Sequence, residues 1–562
     1  MNEVNTVPTS VSVQNEEPSR DYTAWETVLA WASLFGGYLF WRVCPVHENP
    51  LGGFLFLLVL LIGSAVLLAC RGKKPHGLPL CALISGIFSA CSLFVCDNGG
   101  IHTLSFLFGL ACCAYFLYGT AGKTLEPGFS DLLPMDIVKA VFCLPFLSFG
   151  AAVTAVGGRG RGKAGAIVGK ILLGFCIAFI PTGIVLLLLS YDSGFTDLLS
   201  RIFDFEWDTL LSHLASVLFG IPAGMYLYGL YISALDGKAE KVLTAGRCHA
   251  AAGKARAIPM LTGAAAVAPI LFLYIVFFIS QWEYYVAAFF HRLPSSDAVS
   301  VTGSFSVYSE YAREGFFQLC AVSALNLVIL SVCALFAKRD NSLSRTVLKI
   351  INIAYSLSTL ILIATALAKM KLYIDRLGLT PLRVYATWFM LILAVIFLLI
   401  LLKQFLPKLP LLALSVCIAA AFYCVPVLFN VDARIADYNV GRYLAGTLDS
   451  VDFEAMEELG DSAVPALARL ARVLDEKNGT DIYVGAPDYP DHVPYYWPEA
   501  ALSQYDQLKC YLWEQSWRLF SEEDSSFFSF TLPRSRARKA LTEIGLAAPQ
   551  IPGTETETRN NE

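Results

Sequence analysis

Apolar runs of about twenty residues, each broken by a short polar loop, follow one another from residue 24 to residue 429. A hydrocarbon layer of about 30 Å asks that length of a helix rising about 1.5 Å per residue. The pattern predicts spans over Ala24–Val43, Leu51–Cys70, Gly77–Cys96, His102–Tyr118, Ala164–Ser190 and Leu210–Ala234. It continues with Ile258–Gln281, Gly315–Ala337, Thr346–Ala368, Pro381–Leu402 and Pro410–Phe429. Pro134–Val156 is apolar enough to cross but carries Asp136, Lys139 and Pro145 and runs into Gly157-Gly-Arg-Gly-Arg-Gly-Lys163. Were it to cross, that basic loop would lie outside and every later loop would be inverted. It reads instead as an interfacial or re-entrant segment, leaving about eleven spans.

The loops orient the bundle. Arg71-Gly-Lys-Lys-Pro-His76, the loop Asp236–Arg256, the stretch Lys338–Arg345 and the stretch Lys403–Lys408 are basic, whereas Asp97-Asn-Gly-Gly100 is not. The excess of Lys and Arg on cytoplasmic loops places the N-terminus inside a cytoplasmic membrane and the C-terminus outside.

Beyond Phe429 the pattern changes to amphipathic helices separated by turn clusters. Asp461-Ser-Ala-Val-Pro-Ala-Leu467 opens one helix, with Asp461 or Ser462 as N-cap and Pro465 in its first turn. A second is expected over about Glu499–Phe520, followed by the basic stretch Arg534–Lys539. The fold expected is all-α: a polytopic helical membrane bundle with a small helical extracytoplasmic C-terminal domain. Its parts are a disordered cytoplasmic tail (1–23), a transmembrane domain (24–429) with the re-entrant segment near 134–156, the outer domain (430–547) and a disordered tail (548–562).

Composition agrees with the membrane class. Of 562 residues 56% are hydrophobic and 15% charged, against about a quarter charged in soluble chains. The net charge of −5 matters less than its distribution over the loops. Most of the fifteen cysteines lie in apolar runs, where they act as small hydrophobes. They show no metal-ligand or disulfide spacing, so no metal and no cofactor is expected. The first two dozen residues carry no basic n-region or cleavage site, and no removable signal peptide is read.

Candidate chemistry is sparse. Gly157–Lys163 fits the phosphate-loop spacing, but Ala164 stands where a Ser or Thr should hold magnesium, and no strand precedes it. Pro181, Pro222 and Pro269 sit mid-span, as in carriers with broken helices, yet membrane helices tolerate proline generally. No charged residue occupies the middle of a predicted span, which weakens ion-coupled transport. Asn326 and Asn352 are expected to form interhelical hydrogen bonds, and Gly220-xxx-Gly224 a close helix contact.

Two outer tips remain. In the first, Glu310, Arg313 and Glu314 share a helical face. The second lies at the end of a helix about 48 Å long, and there Tyr373 and Arg376 lie on one side and Lys371 and Asp375 on another. Gly378 ends that helix, Thr380 caps the next, Pro381 takes its first position and Arg383 follows. Two readings stand: ion pairs from Glu310 or Glu314 to Arg376 or Arg383 that brace the loops, or a pocket for an anionic lipid headgroup or envelope ligand. Bracing carries more weight.

Ser309-Glu-Tyr-Ala-Arg-Glu-Gly-Phe-Phe-Gln-Leu319 and Met370-Lys-Leu-Tyr-Ile-Asp-Arg-Leu-Gly-Leu-Thr-Pro-Leu-Arg383 resemble a bacterial polytopic family of uncharacterised role, domain of unknown function four-one-seven-three. Ile435–Val440 and Asp461–Leu467 are similar to that family's ending, while Lys371 departs from its basic–methionine order. The resemblance implies a bacterial membrane protein and supplies no activity. Function therefore reads as non-catalytic binding, sensing or passage at the outer face. The alternatives are an enzyme acting on an envelope lipid or polymer, with Glu310 or Glu314 as base, and a carrier. The lipid bilayer is the expected partner, nucleic acid is not, and no catalytic residue is assigned.

Overall fold

The computed structural model describes residues 22–43, 48–156, 207–236, 243–280, 305–338, 341–478, 504–521 and 527–546, with residues 178, 185 and 282. The span expected over Ala164–Ser190, Pro181, the glycine-rich loop at 157–163 and both tails lie outside them. Among the described residues there is no strand, only an isolated bridge between Ile258 and Ala337.

The helices in chain order are α1 (Ala24–Val43), α2 (Pro50–Cys70), α3 (Leu78–Val95), α4 (Gly99–Thr120), α5 (Leu133–Val138), α6 (Leu144–Leu147) and α7 (Ala151–Val156). They continue with α8 (Trp207–Leu235), α9 (Ala245–Ala255), α10 (Met260–Ser280), α11 (Phe305–Phe336), α12 (Ser342–Leu377), α13 (Pro381–Lys403) and α14 (Leu411–Leu428). The last group is α15 (Val431–Leu444), α16 (Phe453–Glu457), α17 (Val464–Asn478), α18 (Gln504–Ser521) and α19 (Leu532–Glu543). Nine helices among the described residues are long and apolar enough to cross a membrane: α2, α3, α4, α8 and α10–α14. The protein is an all-α polytopic bundle. The helix α1 has the expected bounds but falls outside these nine.

The chain forms two compact units, the first of residues Met1–Arg42 and Val141–Ala239. Here α1 and α8 meet through glycine: a Cβ on Gly37 would enter the Gly220 carbonyl, and one on Gly224 would lie 2.6 Å from the Leu34 Cα. Small residues let two backbones approach where lipid gives no hydrophobic drive. Tyr38 and His213 share a 2.6 Å hydrogen bond, so this histidine is held by protein. In place of one helix, residues 133–156 form short pieces joined by a π-turn over Lys139–Cys143. Within this unit Pro145 packs on Gly229 of α8, and Thr154 bonds the Tyr22 hydroxyl at 2.7 Å. Pro222 lies within α8, which runs through it as a continuous helix.

The second unit comprises Val43–Ala140 and Glu240–Glu562. One core gathers α10–α13 around Phe316, Tyr355, Met390 and Phe397. Asn326, fully buried, donates to Thr359 Oγ1 at 2.8 Å and accepts from the Tyr274 hydroxyl at 2.5 Å, tying α10, α11 and α12. Asn352 donates to Gln404 Oε1 at 3.4 Å. Both asparagines thus make the interhelical bonds expected of them. Buried charge is paired here too. Asp136 accepts from the Tyr118 hydroxyl (2.9 Å) and Leu125 N (2.8 Å), while Lys139 donates to the Leu243 carbonyl (2.9 Å) over the Tyr118 ring.

A second core of this unit packs α15, α17, α18 and α19 around Met456, Leu467, Leu512 and Leu541. The chain enters it directly from α14 through Asn430, whose φ of 44° is left-handed, a region Asn tolerates better than most residues. Its Oδ1 caps α15 through Ala433 N at 3.2 Å. Replacing Gly224 by Val should part α1 from α8 and cost about 1–3 kcal/mol. Thermal unfolding in detergent reads this loss, and Gly246→Val, at a position open on all sides, should leave the midpoint in place.

Candidate functional site

At one end of the second unit, the turn between α12 and α13 meets α15. The last carbonyls of α12 have no intrahelical donors, and two arginines supply them. Arg383 donates to Leu377 O (3.0 Å) and Gly378 O (2.6 Å), with its guanidinium 4.2 Å from the centre of the Tyr373 ring. Arg442 donates to Ile374 O (3.0 Å) and Asp375 O (2.8 Å). Cations at a helix C-terminus also complement its dipole. Asn439 clamps the turn by accepting from Leu379 N and donating to Leu379 O, both at 2.7 Å. Gly378 has φ +75°, and a Cβ there would lie 2.6 Å from Asn439 Oδ1, so conformation and space both demand glycine. Thr380 caps α13 through Arg383 N, as expected.

The expected binding residues separate accordingly. Arg383 and Tyr373 are engaged at the end of α12, Arg383 through the Leu377 and Gly378 carbonyls and the Tyr373 ring. Lys371, Asp375 and Arg376 are exposed on the final turns of α12. Glu310, Arg313 and Glu314 belong to α11, but their side chains lie outside the described residues.

The same unit holds a group of carboxylates, Asp97, Asp432 and Asp461, whose meeting no local sequence pattern indicates. Asp97, in the loop between α3 and α4, accepts from Asp461 N at 3.0 Å. This loop is anchored by Asn98, whose Oδ1 caps α4 at Gly100 N and Ile101 N, and by His102 Nε2, 3.0 Å from the Cys96 carbonyl. Gly460 permits the approach: its φ is +56°, and a Cβ would lie 3.0 Å from Asp97 Oδ2. Asp461 or Ser462 was expected to cap α17; the Asp461 carboxylate is buried and takes an ion pair from Arg518 of α18, while Ser462 Oγ donates to Asn430 Oδ1 at 3.3 Å. Arg518 is steadied by Gln515 Oε1, 2.6 Å away. The buried Tyr511 hydroxyl, close enough to feel Arg518 and Asp461, has no hydrogen-bond partner among the described residues. Asp432 is also buried, 3.4 Å from the Tyr385 hydroxyl of α13.

Burial, and secondarily the Asp461 carboxylate, push the Asp97 carboxyl up to about 7 against the opposing Asp461 N–H, Arg518 and Arg534. Burial pushes Asp432 up to about 6, with the Tyr385 hydroxyl opposing. Among the described residues no three His, Cys, Asp or Glu side chains converge as metal ligands. The chemistry on offer is proton binding and a mechanical tie between the apolar helices and α15–α19.

Helices of this length and apolarity, closed at their ends by protein donors, define a multi-pass helical membrane protein. The family model that matches is described as a domain of unknown function, DUF4153, and covers residues 83–470, so the chain belongs to that family. The resemblance drawn from the outer tips likewise pointed to a domain of unknown function, under the number four-one-seven-three. No curated protein and no solved structure matches the chain.

A carboxyl whose folded pKa exceeds its unfolded value holds its proton more tightly when folded. Its stabilisation is complete below the unfolded value of about 4 and is lost as pH rises through about 7 for Asp97. Asp97→Asn keeps an acceptor for Asp461 N and should flatten the pH dependence of the melting midpoint across that window. Arg518→Ala, which leaves the buried Asp461 unpaired, should cost about 3 kcal/mol, partly recovered in Asp461→Asn/Arg518→Gln.

Proposed function

We propose that the protein is a non-catalytic membrane protein of binding or sensing type, in which helices α15–α19 form an extracytoplasmic cap (430–547) on the transmembrane domain. The observation that carries this reading is the tie from Asp97 to Asp461 and Arg518, together with the clamp of Asn439 and Arg442 on the end of α12. A ligand that shifts the cap is thereby connected to α3, α4, α12 and α13.

Charge supports the orientation. The end bearing the tie holds the Asp97 loop, whereas the loops joining α2 to α3, α9 to α10 and α13 to α14 carry Arg71, Lys73, Lys74, Arg256 and Lys408. The positive-inside rule then puts the cap outside and the N-terminus inside. The segment 134–156 is read as re-entrant, because its pieces are short and Thr154 returns to the level of Tyr22 at the start of α1. Lys371, Asp375 and Arg376 are exposed on the last turns of α12, and this rim is where an anionic headgroup or envelope ligand would meet the turn. The bracing by Arg383 and Arg442 holds that rim in place.

Native mass spectrometry of the purified full chain tests the rim. An anionic lipid or metabolite should co-purify and be lost from Lys371→Gln/Arg376→Gln without a shift in melting midpoint. Retention in that variant would remove the rim from the proposal. For orientation, Lys539→Cys should react with an impermeant maleimide in intact cells and Lys74→Cys only after permeabilisation. The reverse pattern overturns the outer cap.

A further inference from the structure

A short 3-10 turn, Phe527–Ser529, leads into α19 and carries an aromatic group no part of the proposed function uses. Phe527, Phe528 and Phe530 are 74%, 49% and 44% exposed. Three large apolar rings in four residues are costly to leave in water, at about 25 cal/mol per Å².

Their position indicates what covers them. The turn packs on the first turns of α2, where the Phe528 ring lies 3.8 Å from a Cβ built on Gly52. Gly52 heads a stripe along α2 that continues through Leu55, Val59, Ile62 and Val66, all exposed and spaced three or four residues apart. On a helix long and apolar enough to cross a membrane, an exposed apolar stripe is the side expected to meet lipid. The phenylalanines therefore extend the lipid-facing surface of α2 at its N-terminal end, the depth at which apolar rings meet the headgroup boundary. Immediately beyond, α19 exposes Arg536 and Lys539, three residues apart on one face, cations suited to anionic headgroups. Arg538 is turned the other way, donating to the Leu519 carbonyl at 2.9 Å.

We infer that the Phe527–Phe530 turn is a membrane anchor, inserting its rings into the bilayer leaflet beside the first turns of α2 and seating helices α18 and α19 on the lipid surface. The occupant is lipid, because the patch is continuous with the lipid-facing stripe of a membrane-spanning helix. The anchor needs α2 to lie in the bilayer but does not depend on which side is outside or on the rim at Lys371. It gives the C-terminal helices a second attachment besides the tie at Asp97. Bilayer thickness and headgroup charge would then act on α18, and through Arg518 on Asp461.

Photo-crosslinking tests this in the full chain, reconstituted in nanodiscs of phosphatidylcholine and phosphatidylglycerol. A benzophenone amino acid replaces Phe527 in one variant and Val59, 68% exposed on the α2 stripe, in another. Lipid adducts at both positions are expected. The fraction of phosphatidylglycerol among the Phe527 adducts should fall in Arg536→Gln/Lys539→Gln. Lipid adducts at Val59 with none at Phe527, or Phe527 adducts only with protein (a second copy or another segment of this chain), would overturn the anchor. Absence of lipid adducts at both positions would remove α2 from the bilayer, and the anchor with it.

Discussion

The C-terminal end of α12 leaves backbone carbonyls that no residue of the same helix can satisfy, and most of the second unit's arrangement at that end follows from how they are met. In hydrocarbon an unpaired carbonyl costs several kcal/mol, so a long helix has to run on until donors are available. Arg383 from the next helix and Arg442 from α15 provide them, and Asn439 closes the turn with two hydrogen bonds. Once α15 is held there, the following helices must pack within reach of the α3–α4 loop. Asp97 meets the Asp461 backbone at Gly460, where a positive φ and the missing Cβ ease the approach.

This arrangement places ionisable groups at a boundary where their charge state has consequences. Asp97 and Asp432 lie where burial resists ionisation, and Asp461 is paired with Arg518. A buried ion pair is weak support for stability, since desolvation offsets much of the attraction. Here it joins the turn before α17 to α18. The aromatic turn at Phe527–Phe530 packs on the first turns of α2 within the same unit, so the inferred lipid anchor would add to the hydrogen bonds that hold the C-terminal helices.

How legible was this in the chain? The membrane helices were plain, because twenty apolar residues in succession have few other stable forms. The turn at Gly378, Thr380 and Pro381 was also legible, since a positive φ, a capping hydroxyl and a missing N–H each select their residue. Asn326 could be assigned an interhelical bond because a buried amide needs one. The role of Arg383 was not legible: the same charge could have paired with Glu310, bound an anion or closed a helix, and spacing does not separate these. Asp461 had the pattern of an N-cap, yet its carboxylate pairs with Arg518, 57 residues further on, a partner that no local spacing indicates.

Sequence alone determined the class, the presence of most of the apolar helices and the basic loops, since each depends on residues close together in the chain and on the fixed thickness of the bilayer, whereas helix ends such as Gly99, Phe305 and Leu377 were set by packing and capping. The tertiary structure decided which partners the charges meet. Asp97 and Asp461 are 364 positions apart, and no local pattern encodes the meeting of two carboxyl-bearing turns. Likewise the phenylalanines of 527–530 gain meaning only from lying at the head of the α2 stripe. Burial and proximity set those energies, and both exist only once the helices have packed.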